Sequence, residues 1–304
     1  MTIRLSENFR ALFYAPFYAA HATGAYDAEG VAVELVHSPD PASTATALRR
    51  GQIDVMWGGP LRVLLTHATD PEADTVCFCD VVARDPFFIV GREPRPEFHV
   101  ADLAKVRFAS VAEVPTPWLC LQDDLRRAGV DPAGLDRVST SSMAENAAAV
   151  RAESLDAAQL FQPYVEELVT SGAGHVWYAA AERGLTAYTT LVTRRPLLTS
   201  HREELLRMTR ALARTLRWIA GTPGIDVART LTDFFPDIAP EIFAAAIDRY
   251  RALGLFATNP VLRRESFDRL QAAMLSGGAL AREIPYADCV DNSLAEQTVR
   301  SPGG

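Results

Sequence analysis

Apolar and polar positions along the chain change period in a repeating order. Residues 2–6 (TIRLS) read as a short strand, and APFYAAHATGAYDAEG as a helix ending at Gly24 or Gly30. Val31 to Val36 alternates apolar and polar, the period-two mark of a strand with one wet face. ASTATALRRG predicts a helix of about two turns, capped by Ser43 or Thr44 and stopped at Gly51. IDVMWGG is a short apolar strand running into Gly58-Gly59-Pro60, where Pro60 suits the first position of a helix through His67. TVCFCDVV and DPFFIVG add strand-like runs. Strands alternating with helices of this length predict βα units and a mostly parallel sheet.

The stretch 93–190 restarts the same grammar after the proline-rich EPRPEF. FASV reads as a strand, and Thr116-Pro117 as an N-cap followed by an N1 proline opening a helix through Gly129. AENAAAVRAESL predicts a helix, DAAQLF a strand entering Gln162-Pro163-Tyr164, VEELVTSG a helix and LTAYTTLVTRRP a long strand. From Pro196 the pattern is helical, with Leu205, Leu206, Leu212, Leu216 and Ile219 at the spacing of one amphipathic face. The polar tail from Ser293 to Gly304 is expected to fray. The organisation predicted is an α/β protein of two lobes, each a mostly parallel sheet flanked by helices, with a helical C-terminal region. Residues 1–91 and 191–304 form lobe 1 and 92–190 an inserted lobe 2, with hinges near 90–92 and 189–193.

Composition narrows the function classes. The 304 residues carry 38 acidic and 30 basic side chains, a formal charge of −8, and no run supplies the basic patch of a nucleic-acid binder. No uncharged run is long and apolar enough for membrane insertion. Lys105 is the single lysine, so Schiff-base chemistry has one candidate, placed on the surface. Cys77, Cys79, Cys120 and Cys289 form no CxxC pair and read as buried free thiols, and the six histidines lack metal-ligand spacing. No metal, no cofactor and no catalytic set is predicted. MTIRLSENFR lacks an export-signal pattern, so the expected compartment is cytoplasmic as the chain stands, or extracytoplasmic if a signal has been removed.

The segment APFYAAHATGAYDAEGVAVEL resembles the opening of the solute-binding proteins for nitrate, sulfonate, taurine and thiamine-pyrimidine uptake. The elements that carry the likeness are Pro16-Phe17-Tyr18, Gly24-Ala25-Tyr26, Ala28-Glu29-Gly30 and Val31 to Leu35. ALRRGQIDVMWGGP and SLDAAQLFQPYVEEL resemble later blocks of the same family, over residues 1 to about 280 in all. The resemblance implies a type 2 periplasmic-binding-protein fold closing on a small molecule, with an ABC permease as partner. Yeast-type pyrimidine synthases share that fold. Their active-site lysine would fall at Gly58 and their histidine near Arg62, and no cysteine-rich motif stands at 183–187, which disfavours that chemistry.

In such sheets ligands bind beyond the carboxyl ends of strands. Four loops qualify: Asn8, Phe13, Pro16 and Phe17; Ser43-Thr44; Trp57-Gly58-Gly59-Pro60 with Arg62; and Thr116 and Trp118, backed by Gln162 and Tyr164. Phe87 precedes the hinge. Trp57, Trp118, Tyr164 and Phe17 are the expected stacking residues, and Arg62, Ser43, Thr44, Thr116 and Gln162 the polar ones. Each has a plainer reading: Phe17 as core, Gly58-Gly59 as a tight turn, Arg62 in a surface ion pair, Ser43 and Thr44 as caps. The expected function is a receptor for an aromatic or small anionic organic molecule. A lyase, decarboxylase or pyrimidine-precursor enzyme on the same fold, and a cytoplasmic ligand sensor, stand as alternatives.

Overall fold

The computed structural model describes residues 1–7, 9–38 and 41–301. The first run comprises β1 (Thr2–Ser6), α1 (Ala15–Ala22), α2 (Ala25–Ala28), β2 (Ala32–Val36), α3 (Pro41–Arg49), β3 (Val55–Gly58), α4 (Pro60–Thr69) and β4 (Thr75–Val82). The second comprises β5 (Phe88–Gly91), β6 (Phe108–Ala109), α5 (Thr116–Arg127), β7 (Arg137–Val138), α6 (Met143–Arg151), β8 (Ala157–Leu160), α7 (Tyr164–Thr170) and β9 (His175–Ala179). Strand β10 (Thr189–Arg194) then leads into α8 (Arg195–Ser200), α9 (Arg202–Gly221), α10 (Gly224–Leu231) and α11 (Pro240–Ala252). The chain ends with α12 (Arg264–Ser276), α13 (Tyr286–Cys289) and α14 (Ser293–Arg300).

The strands sort into two five-stranded sheets of one topology, β2-β1-β3-β10-β4 and β7-β6-β8-β5-β9. The β1–β2, β1–β3, β6–β7 and β6–β8 pairs are parallel. The antiparallel member is β10 in the first sheet and β5 in the second. Each antiparallel strand is the first one laid down after the chain crosses from the other sheet. The two crossings therefore explain why each sheet is mixed rather than wholly parallel.

Sheet membership also moves the crossings. Residues 90–92 and 189–193 were the expected hinges, yet β5 already pairs in the second sheet at Phe88 and β10 in the first at Thr189. The chain leaves the first sheet at 83–87 and returns at 180–188. Both flanking runs are apolar enough to be buried strands, and periodicity cannot say which sheet a buried strand joins. The crossings lie side by side: Thr186 N–H donates to Ala83 O (2.9 Å), Tyr188 N–H to Val82 O (3.2 Å) and Ala180 N–H to Phe87 O (2.9 Å).

A buried guanidinium ties them together. Arg183 Nη1 donates to Asp85 Oδ2 at 3.0 Å, and its Nε and Nη2 reach Asp124 Oδ2 on α5 at 2.8 and 2.6 Å. Asp85 also accepts the Phe87 N–H at 3.0 Å. Burial works against the Arg183 charge, and the carboxylates of Asp85 and Asp124 outweigh it, so the guanidinium stays protonated.

Helix α1 is buried from Ala15 to Ala20, as a helix apolar all round must be. Helix α9 turns Leu205, Leu206, Leu212, Leu216 and Ile219 inward, as its spacing predicts. Three local expectations change. Helix α3 opens at Pro41, so Ser43 and Thr44 lie in its first turn rather than at its cap. Pro115 is the N-cap of α5, and Thr116 is its first helical residue. The tail is not frayed through its first eight residues: α14 buries Leu294 and Ala295 completely and Thr298 almost so. Its polar residues form an outer face, which overall polarity alone conceals.

Replacing Arg183 by Met is expected to destabilise the protein by about 3–5 kcal/mol, because the buried Asp85 and the partly buried Asp124 carboxylates lose their counter-charge. Leu294→Ala is expected to cost about 2–5 kcal/mol. Urea unfolding measures both, and an unchanged midpoint for Leu294→Ala would mean that the tail does not dock.

Candidate functional site

Strand β3 ends at Gly58 and Gly59 caps α4, with Pro60 supplying the fixed φ that starts the helix. A Cβ on Gly59 would stand 3.3 Å from Tyr188 O and 4.0 Å from Thr116 Oγ1. The missing side chain lets the returning crossing and α5 close on the end of β3. There a cavity of about 50 Å³ opens between the sheets. Phe9, Tyr14, Gly59, Leu61 and Arg62 wall it on one side, Val114, Pro115 and Thr116 on the other, and Tyr188 comes from the crossing.

Two features give this cavity its chemistry. The N-termini of α4 and α5 meet across it, and a helix start carries partial positive charge. Arg62, one turn into α4, adds a full one. The walls are aromatic. Phe161 at the end of β8 meets Phe13 (centroids 5.4 Å apart), Phe87 (5.3 Å), Phe9 (6.4 Å) and Tyr164 (6.2 Å). Tyr188 stands edge-on to Phe13 at 5.7 Å. The cluster runs from the first sheet through both crossings to the second.

The predicted residues divide accordingly. Gly59, Arg62 and Thr116 line the cavity, and Phe13, Phe87 and Tyr164 belong to the aromatic cluster behind it. Trp57, expected as a stacking floor, is fully buried in the first lobe's core. Phe17 stacks on it at 4.6 Å and 11°, and Tyr18 packs edge-on at 5.4 Å. Phe17 and Pro16 are core with it, and Gly58 pairs with Thr190 inside the sheet. Trp118 is turned onto the outer face of the second sheet, where the Arg137 guanidinium lies 4.1 Å over its ring. Helical rotation separates it from Thr116, two residues earlier.

Gln162 is also spent on structure. Its Nε2 donates to Glu166 Oε1 at 2.9 Å, its Oε1 accepts the Glu166 N–H at 3.0 Å, and Arg249 of α11 closes the set on Glu166. Ser43 is exposed and Thr44 buried, and neither lines the cavity. Asn8 lies outside the described residues. Its neighbour Glu7, which sequence reasoning passed over, is a buried carboxylate accepting from Tyr18 Oη at 2.8 Å and paired with His37 Nδ1 at 2.8 Å. It anchors the loop after β1 that carries Phe9. Phe161 and Tyr188 were passed over as well. Phe161 directly follows β8, at the carboxyl end where ligands bind in such sheets, and that position is the signal that could have found it.

A larger cavity, about 550 Å³, lies elsewhere, between α9 and the end of α11. Its Arg251 donates to Thr222 O (2.7 Å), Ala220 O (2.8 Å) and Asp248 (3.0 Å). Size alone does not place the principal site.

The profile of the NMT1-like family matches residues 9–228, well over half of the chain. The chain belongs to the NMT1-like family. Its similarity to the Bacillus subtilis "Putative binding protein YtlA" is 24% identity over 297 residues, covering 97% of this chain and 89% of that one. Among solved structures, the periplasmic aliphatic sulphonate binding protein SsuA from Escherichia coli superposes with a TM-score of 0.76 at 16% identity, covering 94% and 96% of the two chains. The alkanesulfonate-binding protein SsuA from Xanthomonas axonopodis pv. citri, bound to MOPS, gives 0.73 at 18% identity, covering 96% and 98%. At such identities the likeness shows the fold, the periplasmic binding protein architecture. Among the described residues of this NMT1-like protein, no helix is long and apolar enough to cross a membrane.

The four cysteines are buried, and burial pushes every thiol up, that of Cys120 and that of Cys289 to about 12. Native protein is therefore expected to resist the thiol reagent DTNB at pH 8, and unfolded protein to titrate all four thiols. Rapid labelling of one native thiol would contradict the burial.

Proposed function

We propose that this NMT1-like protein is a solute-binding protein whose two sheets part and re-close on an aromatic organic anion. One observation carries the reading: the N-termini of α4 and α5, from opposite sheets, converge with Arg62 on a cavity walled by aromatic side chains. Helix N-termini and a guanidinium select an anionic group, and the rings of Phe9, Tyr14 and Tyr188 select a planar body. At about 50 Å³ the cavity is smaller than the ~150 Å³ that accepts benzene elsewhere, so entry requires the sheets to separate about the crossings. Ligand that touches both sides only when they are together then favours the closed form. The sulfonate-binding neighbours support an anionic ligand. With that role go an ABC permease as partner and work on the outer side of a membrane.

Isothermal titration with benzenesulfonate, naphthalene-1-sulfonate and benzoate tests the reading. At least one is expected to bind, and benzyl alcohol, which lacks the charge, to bind far more weakly. Arg62→Met is expected to cost about 1.5–3 kcal/mol, about ten- to a hundredfold in affinity. Recovered ligand should have unchanged mass. Equal affinity for the neutral analogue, or a chemically altered ligand, would contradict the proposal.

A further inference from the structure

Buried tyrosines of this chain spend their hydroxyls inside the protein. Tyr18 Oη donates to Glu7 Oε2 at 2.8 Å, and Tyr250 Oη donates to Pro86 O and accepts the Gln162 N–H. Tyr26 Oη has no partner among the described residues, and it is sealed within the core. Tyr188 differs from all three. It is 6% exposed and lines the cavity between the sheets. Its Oη has no hydrogen-bond partner among the described residues and is not sealed off as Tyr26 Oη is.

Packing fixes where that hydroxyl stands. The ring lies edge-on to Phe13 at 5.7 Å and 6.4 Å from Phe87, and the Tyr188 N–H is tied to Val82 O. Buried polar atoms of native proteins are nearly always paired, so a hydroxyl held nine-tenths buried at a cavity wall takes its partner from what the cavity binds. Burial, and after it the Asp85 carboxylate, pushes the Tyr188 phenol well above its ordinary value, so the group stays protonated and donates. The same Asp85 charge opposes a second anion at this hydroxyl. Thr116 Oγ1 is also unpaired among the described residues, but it stands at the start of α5, where the anion is received.

We infer, resting on the cleft as the site of the aromatic anion, that its ligand also carries a neutral hydrogen-bonding group on the ring, a hydroxyl or a carbonyl, and that Tyr188 Oη is the partner of that group. The anionic end stays with the two helix starts and Arg62. Tyr188 then sets specificity within the class of aromatic anions, which the charged groups alone do not distinguish.

Titration calorimetry of the full chain at pH 7 compares benzenesulfonate with its 2-, 3- and 4-hydroxy derivatives. At least one hydroxy derivative is expected to bind about three- to tenfold more tightly than benzenesulfonate, the gain from one neutral hydrogen bond. Tyr188→Phe keeps the ring and removes only the hydroxyl, and there the ratio of the two affinities is expected to fall to about one. Thr116→Val should weaken all the sulfonates and preserve the ratio. Urea unfolding reads the same hydroxyl without a ligand. Tyr188→Phe is expected to keep or raise the native midpoint, because no bond within the protein is lost, whereas Tyr18→Phe lowers it. A midpoint lowered in Tyr188→Phe as far as in Tyr18→Phe would overturn the inference, since the hydroxyl would then be bonded within the protein. So would a ratio that survives Tyr188→Phe, or benzenesulfonate binding with no tighter hydroxy derivative. Failure of every sulfonate to bind would remove the reading of the cleft itself, and this inference with it.

Discussion

The site between the sheets depends on how the buried Arg183 holds three pieces of chain at once. It joins Asp85 on the outgoing crossing and Asp124 on α5, and itself stands on the returning crossing. A buried ion pair adds little net stability over an apolar substitute, because desolvation offsets its attraction, but it tolerates few alternative arrangements. Here it fixes the bearing of α5, whose other end presents Thr116 to Gly59. Without that bearing the two helix N-termini would not meet. Tyr250 adds a second tie, donating its hydroxyl to Pro86 O and accepting the Gln162 N–H, both at 3.2 Å. The helical return thus braces both the outgoing crossing and the second sheet.

The aromatic cluster sets the balance between closed and open forms. Phe9 and Phe13 from the first sheet's loop pack on Phe161 from the second, and such pairs contribute about 0.5–1.5 kcal/mol each beyond the area they bury. Parting the sheets forfeits them. Under the proposed function, a ligand with an aromatic body replaces the lost contacts, and its anionic end meets the N-termini and Arg62, which have no such substitute within the cluster. Selectivity for the charged end and tolerance in the aromatic body follow from that division.

Much of the architecture was legible from periodicity. Alternating strands and helices, the Gly-Gly-Pro turn and the amphipathic face of α9 each rest on local patterning. What escaped was information held between segments. Local patterning marks Phe88–Gly91 and Thr189–Arg194 as strands but cannot assign them to a sheet, so the crossings came out several residues displaced. The lining of the candidate cavity was legible where backbone chemistry dictated it: Gly59 because the approach needs no side chain, and Arg62 and Thr116 because helix starts place them. Large aromatics misled. Trp57 and Trp118 look like stacking surfaces in one dimension, yet one fills the space against α1 and the other lies under Arg137. Tyr188, less conspicuous in the sequence, lines the cleft because it precedes β10, and Phe161, which follows β8, packs in the aromatic cluster behind it.

The most direct test is a crystal structure of the protein with the aromatic sulfonate that binds best. The account predicts the sulfonate between the N-termini of α4 and α5, within reach of Arg62, and its ring among Phe9, Tyr14 and Tyr188. A sulfonate bound outside that cleft, or one whose charged end avoids Arg62 and both helix starts, would contradict it.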